Sequence, residues 1–110
     1  MMTLRDYLNA PALLSAGAWL FLPKDAAWSL ETPAIVLAMD EVPPEQEDED
    51  DAGYPAFARE HQLQAALSAS DVASVITNAR LQKAQVSDSE LLAAFLHYYD
   101  NDAYIALAPG

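Results

Sequence analysis

Apolar residues near the start of the chain recur at helical spacing. Thr3 is suited to cap a first helix, because its hydroxyl can accept a bond from an unpaired N–H, and Asp6 would favour the positive helix end. Three apolar side chains would share one face: Leu4, Tyr7 and Leu8. Pro11 is disfavoured inside a helix, so the helix is expected to end near Ala10, followed by a short turn that Gly17 closes.

Two continuous apolar runs follow, at residues 18–22 and 34–39. Each is short and adjoins a proline, Pro23 or Pro33, which predicts two buried strands rather than helices. Their closeness in sequence suggests that they pair antiparallel.

The second half of the chain is predicted to be mainly helical. Residues 56–67 are predicted to form a helix, and the spacing of Val72, Val75, Ile76 and Ala79 predicts another between Ser70 and about Gln82. The sequence Ser-Asp-Ser-Glu at 87–90 is a capping box for a last helix, which the short polar residues 100–102 should end. Residues 103–107 alternate well enough to predict a third strand.

These elements predict one α+β domain over residues 1–110. We expect a small, mainly antiparallel sheet of about three strands packed against three to four helices. Residues 40–55 interrupt the pattern and are predicted to be a loop.

The acidic residues of the chain are concentrated in that predicted loop. The chain has 110 residues, with 17 acids, five bases and a formal net charge of −12. Eight acids fall within twelve residues: Asp40, Glu41, Glu45, Glu47, Asp48, Glu49, Asp50 and Asp51. The other 98 residues hold nine acids and five bases, so the acidity is concentrated in one segment. Such a charge disfavours nucleic acid and favours a basic protein partner.

Several classes of function are made improbable by what the sequence lacks. There is no cysteine, and the three glycines at 17, 53 and 110 form no phosphate loop or nucleophile elbow. The two histidines, His61 and His97, are far apart and match no metal motif; Asp100–Asp102 lacks the later positions of a calcium loop. We therefore expect no enzyme, no metal and no cofactor. The N-terminus lacks the pattern of a signal peptide, and no apolar run is long enough to span a membrane. The lack of cysteine fits a reducing compartment.

The acidic segment has two interpretations. It could be a solvated loop that keeps the protein soluble, or an anionic surface presented to a basic protein. In the second case its eight acids would bind the partner, with Tyr54 as an adjacent anchor. The residues Tyr98, Tyr99, Asp100 and Asp102 could form a further aromatic and acidic contact surface, although packing of at least one tyrosine in the core is expected.

Three segments resemble a known family. They are residues 4–8 (Leu-Arg-Asp-Tyr-Leu), 33–37 (Pro-Ala-Ile-Val-Leu) and 98–105 (Tyr-Tyr-Asp-Asn-Asp-Ala-Tyr-Ile). Together they resemble the small bacterial immunity proteins of contact-dependent growth inhibition and related polymorphic toxin systems. The resemblance implies a cytoplasmic antidote that binds the C-terminal domain of a toxin, often a nuclease, and blocks its active or substrate-binding surface.

The leading hypothesis is therefore an immunity protein that neutralises a basic, nuclease-type toxin. The alternative is an acidic nucleic-acid mimic or adaptor that regulates an endogenous basic protein. A small enzyme or metal-binding module is a third, weaker hypothesis.

Overall fold

The structure is a computed structural model that describes residues 2–24, 26–38 and 54–107. In chain order its elements are β1 (Met2–Thr3), α1 (Leu4–Asn9), a 3-10 helix (Pro11–Leu13), β2 (Ala18–Pro23), β3 (Pro33–Ala38), α2 (Ala56–Glu60), β4 (Leu63–Ser68), α3 (Ala69–Gln82) and α4 (Asp88–Asn101). The predicted α+β class is confirmed.

The strands form one antiparallel sheet in the order β1-β3-β2-β4. The predicted pairing of the two apolar runs is confirmed, with Leu20 opposite Val36. β4 pairs with the other side of β2, and the register shifts by one residue between Leu20 and Phe21. The described sheet has four strands rather than about three, because β1 and β4 join the two predicted strands, whereas residues 103–107 do not.

The N-terminal helix forms as its capping signals predict. The Thr3 hydroxyl accepts a bond from the Asp6 N–H at 3.4 Å, and the Asp6 carboxylate accepts one from the Thr3 N–H at 2.9 Å. Pro11 opens the 3-10 helix, because its missing N–H costs nothing at a first position. Gly17 then adopts a φ of +83°, a conformation that glycine reaches without a steric penalty, and leads into β2.

The helix predicted at residues 56–67 is confirmed only over Ala56–Glu60 and is wrong for the rest of that range. α2 ends at Glu60, and Gln62 takes a φ of +54°, which a right-handed helix cannot include. Residues 63–68 then pair with β2 as β4. Leu63 and Leu67 have the spacing of one helix face, but in β4 the register shift places Leu63 in the second cluster and Leu67 against the main core. Periodicity alone could therefore not identify this strand.

The two long helices agree better with their predictions. α3 buries the predicted stripe, although its N-cap is Ser68 rather than Ser70, with the Ser68 hydroxyl 3.1 Å from the Asp71 N–H. The capping box of Ser87 and Glu90 begins α4, and Asp102 ends it in a left-handed conformation with φ 53°.

The third strand predicted at residues 103–107 is also wrong. This C-terminal segment forms no strand, and the side chain of Gln82 bonds its backbone instead. Gln82 Nε2 donates to the Ile105 carbonyl at 2.8 Å, and Gln82 Oε1 accepts from the Leu107 N–H at 2.9 Å. The Gln82 side chain therefore forms hydrogen bonds with this backbone of the kind that a neighbouring strand would otherwise form.

The main core lies between one face of the sheet and α1, α3 and α4. Its buried side chains include Leu4, Leu8, Leu20, Leu22, Val72, Val75, Ile76, Leu91 and Phe95. Asn9 fastens α1 to the start of α4, because its Nδ2 donates to Asp88 Oδ1 at 2.9 Å. The three helices thus cover one side of the sheet and leave the other side to different elements.

Candidate functional site

The second face of the sheet carries its own apolar cluster. Successive side chains of a strand point to opposite faces of the sheet. Leu20 and Leu22 pack in the main core, and Trp19 and Phe21 lie on the opposite face. Trp19 lies opposite Leu37. The neighbouring pair of Phe21 and Ile35 continues the same apolar face. We call this surface, formed by Trp19, Ile35, Leu37 and Ala65, the open face.

Only one end of this side of the sheet is covered within the described residues. α2 brings Ala58 against Phe21 and Leu63, and all three are buried. The small alanine side chain lets the helix approach closely. In contrast, the four residues of the open face remain half-buried. The sheet is therefore apolar on both sides, but the described residues enclose its second side only in part.

Tyr54 forms the boundary between the covered end and the open face. Its ring meets Phe21 edge to face, with the ring centroids 5.1 Å apart. Its hydroxyl accepts a bond from the N–H of Ala65 at 3.1 Å, and its carbonyl accepts one from Arg59 Nε at 3.1 Å. The proposed anchor residue thus lies beside the open face, half-buried and with structural contacts of its own.

The eight predicted acidic binding residues lie outside the described residues. They are Asp40, Glu41, Glu45, Glu47, Asp48, Glu49, Asp50 and Asp51. The described chain before them ends at Ala38, directly after Leu37, and the chain after them resumes at Tyr54. Leu37 and Tyr54 both pack in the second cluster, so both described ends of the acidic stretch are tied to the same side of the sheet.

The predicted aromatic and acidic surface near the end of α4 is divided between two environments. Tyr99 packs against Trp28, with ring centroids 4.8 Å apart, and its hydroxyl accepts from Gln64 Nε2 at 3.3 Å. Tyr98 instead packs against Tyr104, at 5.4 Å between centroids. Packing of part of this tyrosine pair was expected, and the structure agrees.

Two carboxylates have pKa values that are lowered by hydrogen bonds at helix ends. The hydrogen bond from Lys83 Nζ, at 2.9 Å, is the main reason that the pKa of Glu90 falls to about 2, with the Ser87 N–H contributing next. The Thr3 backbone N–H lowers the pKa of Asp6. These carboxylates cap helices and are not arranged as a reacting pair.

Basic side chains near α1 and α4 are engaged with acids. Arg5 pairs with Glu31 and with Asp88, the latter at 3.4 Å between Nε and Oδ2. Within the described ranges there are eight acids and five bases, a mild excess. The strong negative charge of the chain therefore comes mainly from residues 40–51, which lie outside the described residues.

The histidines show no arrangement that suggests a reaction. His61 is exposed and packs beside Phe57, with ring centroids 4.2 Å apart, while His97 lies within hydrogen-bond range of Asn101. In the part of the chain that the structure describes, no group of three or more potential ligands could hold a metal ion.

The open face was missed by sequence reasoning. The alternation of Trp19 and Phe21 against Leu20 and Leu22 was visible, but it predicted a strand buried on both sides. The sequence did hold a signal for this surface. A strand that is apolar on both faces needs a covering layer on each face, and the predicted helices were enough to cover only one face of the sheet. A partly exposed apolar surface among the described residues is similar in composition to the apolar core of many protein interfaces.

Comparison with known proteins supplies the family but no further relative. None of the described helices is long and apolar enough to cross a membrane. Searches of curated proteins and of solved structures found no match. Residues 1–107 match a family described as a domain of unknown function, and the chain therefore belongs to the DUF7716 family.

Proposed function

We propose that this chain is a cytoplasmic immunity protein that binds a basic, nuclease-type toxin domain and blocks its active or substrate-binding surface. The observation that carries the proposal is the open face, an apolar surface that the described residues leave partly exposed and that the acidic stretch 40–51 adjoins in sequence. The resemblance of residues 4–8, 33–37 and 98–105 to immunity proteins gives the biological context.

The open face would supply the stable part of the contact. Trp19 is the residue type most enriched among interface hot spots, and Leu37 and Ile35 lie beside it on the same surface. Removing these half-buried side chains from water on binding would slow dissociation, which is where most differences in affinity arise.

The acidic stretch would supply the speed and selectivity of association. Eight carboxylates between Ala38 and Tyr54 create a local negative field that attracts a basic surface and repels phosphate backbones. A nuclease presents such a basic surface where its substrate binds. The same charges would therefore direct this chain to the site that must be blocked.

The test uses the product of the gene directly upstream, since an immunity gene follows its toxin gene. Its C-terminal domain is expressed in a host with and without this chain. We expect growth arrest without the chain, rescue with it, and a one-to-one complex of the two purified proteins. No arrest, or arrest without rescue and without a complex, would contradict the proposal, whereas binding to an endogenous DNA-binding protein would favour the adaptor hypothesis.

Variants then separate the two parts of the surface. Replacing the eight acids by Asn and Gln should lower the association rate at low salt and leave dissociation nearly unchanged. Trp19→Ala and Leu37→Ala should mainly raise the dissociation rate. Leu13→Ala is the matched control, because Leu13 is exposed and lies on the 3-10 helix, away from the second cluster. Circular dichroism checks that each variant is folded.

A further inference from the structure

Residues 103–107 lie against α3 just after the end of α4, and we call this segment the strap. Its side chains alternate: Ile105 and Leu107 are half-buried against the main core, whereas Tyr104 and Ala106 are exposed. Such alternation is typical of a strand with one covered face. Within the described residues no strand pairs with the strap, so its extended form has another cause.

The side chain of Gln82 supplies hydrogen bonds to the backbone of the strap. Its Nε2 donates to the Ile105 carbonyl at 2.8 Å, and its Oε1 accepts from the Leu107 N–H at 2.9 Å. A carbonyl and an N–H two residues apart lie on the same edge of an extended chain, so one amide can bind both. Gln82 is exposed, and water competes for both bonds, which keeps their net contribution to stability small.

The main core is enclosed by other elements. Among the described residues, its buried side chains come from α1, the strands, α3 and α4, and none comes from the strap. Ile105 and Leu107 join it only as partly buried contacts. The ring of Tyr104 adds a contact with Tyr98, at 5.4 Å between centroids. The strap therefore rests on a core that is already formed, and its release should cost less than global unfolding.

The turn before the strap is suited to act as a hinge. Asp102 ends α4 with a φ of 53°, and its N–H donates to the Tyr98 carbonyl at 2.8 Å. The Asp102 side chain is exposed, so a change of its backbone angles disturbs no buried contact of that side chain. A rotation after this residue moves the strap and leaves the preceding helix in place.

The strap is thus held in the way that an extended peptide ligand is held, by alternate side chains and by bonds to its backbone. We propose that the strap is a tethered ligand that opens at Asp102 while the rest of the fold stays intact. Its vacated site then binds an extended segment of a partner protein with two aliphatic side chains two residues apart. The site lies on the helical layer, opposite to the open face, so this proposal does not depend on the proposed function.

The first test is amide exchange of the full chain at several low urea concentrations. The Leu107 N–H should exchange faster than the Phe95 N–H in the middle of α4, and its rate should hardly depend on urea, because local opening exposes little surface. The same urea dependence at both residues would mean that the strap opens only with the whole fold, which would overturn the proposal.

The second test adds the strap sequence in trans, as the blocked peptide Ala-Tyr-Ile-Ala-Leu, and follows the full chain by NMR. The double variant Ile105→Ser/Leu107→Ser releases the strap and keeps its site. It should bind the peptide about tenfold or more tightly than the wild type, since the wild-type site is free only in a minor open state. The peptide Ala-Tyr-Ser-Ala-Ser is the matched probe and should bind neither protein. Equal affinity of both proteins for the first peptide, or no binding to the double variant, would overturn the proposal.

Circular dichroism and urea unfolding show whether the double variant keeps its fold, as a separable strap requires. An unfolded variant would contradict the proposal, because the core would then need the strap. Adding Gln82→Ala to the double variant should weaken the peptide about fivefold or more, since both backbone bonds are lost. Adding Leu13→Ala, at an exposed position on the 3-10 helix, should change nothing. If Gln82→Ala leaves the affinity unchanged, the peptide does not occupy the strap site and the proposal fails.

Discussion

The hydroxyl of Tyr54 accepts a hydrogen bond from the backbone N–H of Ala65, with 3.1 Å between oxygen and nitrogen. Ala65 belongs to β4, which is an edge strand of the described sheet. It pairs with Phe21, next to the register shift. An edge strand needs partners for its free backbone groups, since unpaired ones invite wrong pairing. The Tyr54 side chain thus satisfies one backbone N–H of the edge strand and also packs against the second apolar cluster.

Tyr54→Phe should therefore destabilise the protein while leaving the ring against Phe21. We expect the free energy of unfolding to fall by about 1 kcal/mol, the usual net value of one hydrogen bond. Urea unfolding measures the change, and amide exchange at Ala65 should become faster. Leu81→Ala is the control, because a substitution at this exposed position should change stability by less than about 0.5 kcal/mol. Unchanged exchange at Ala65 would show that this bond has no role.

The ion pair of Glu90 and Lys83 predicts a pH dependence. The pKa of Glu90 is lowered from 4.5 to about 2 in the folded protein, first by Lys83 and then by the Ser87 N–H. Because the folded pKa is below the unfolded value, the ionised carboxylate stabilises the fold above pH 4.5. That stabilisation is lost as the pH falls from 4.5 towards about 2.

Glu90→Gln should accordingly flatten part of the fall in stability across this range. The measurement is the urea midpoint of wild type and variant at several pH values between neutrality and acid. Glu60→Gln, at the exposed end of α2, is the matched control and should keep the wild-type slope. The idea fails if Glu90→Gln follows the wild-type curve down to acid pH.

Elements with local signals could be predicted from the sequence. The capping boxes at Thr3 and Ser87 fix helix starts because the side chain and backbone that bond each other are three residues apart. The two apolar runs around Leu20 and Val36 were predicted as strands for a similar reason, since length and flanking prolines are visible locally.

Elements whose conformation depends on distant partners could not be predicted. β4 forms because residues 63–68 pair with the free side of β2, forty or more residues earlier in the chain. Residues 103–107 form no strand because Gln82 engages their backbone. The open face belongs to the same category, as the coverage of Trp19 depends on where α2 packs rather than on the sequence around it.

Asp102 is expected to limit stability at the end of α4. Its φ of 53° is left-handed, a conformation that costs most residues energy and glycine almost none. Its negative charge also lies at the negative end of the helix. Asp102→Gly should therefore raise the free energy of unfolding by about 1 kcal/mol. Asp100→Gly, inside the helix, should lower it by about 0.5 kcal/mol, and both are measured by urea unfolding. The same sign for both variants would contradict this reasoning.

Gln82 should control the order of the C-terminal segment more than the stability of the whole protein. Gln82→Ala removes the bonds to the Ile105 carbonyl and the Leu107 N–H, both of which lie outside the sheet. We expect amide exchange at Leu107 to accelerate several-fold and the urea midpoint to change little, because local opening does not require global unfolding.

Asn78→Ala provides a graded control for this prediction. Asn78 Oδ1 accepts a bond from Gln82 Nε2 at 2.7 Å, so it orients the amide without contacting the segment itself. Exchange at Leu107 should therefore rise less than in Gln82→Ala. Equal rates in the two variants would mean that orientation by Asn78 is essential to the contact, and unchanged rates in both would mean that Tyr104 and its neighbours are held by packing alone.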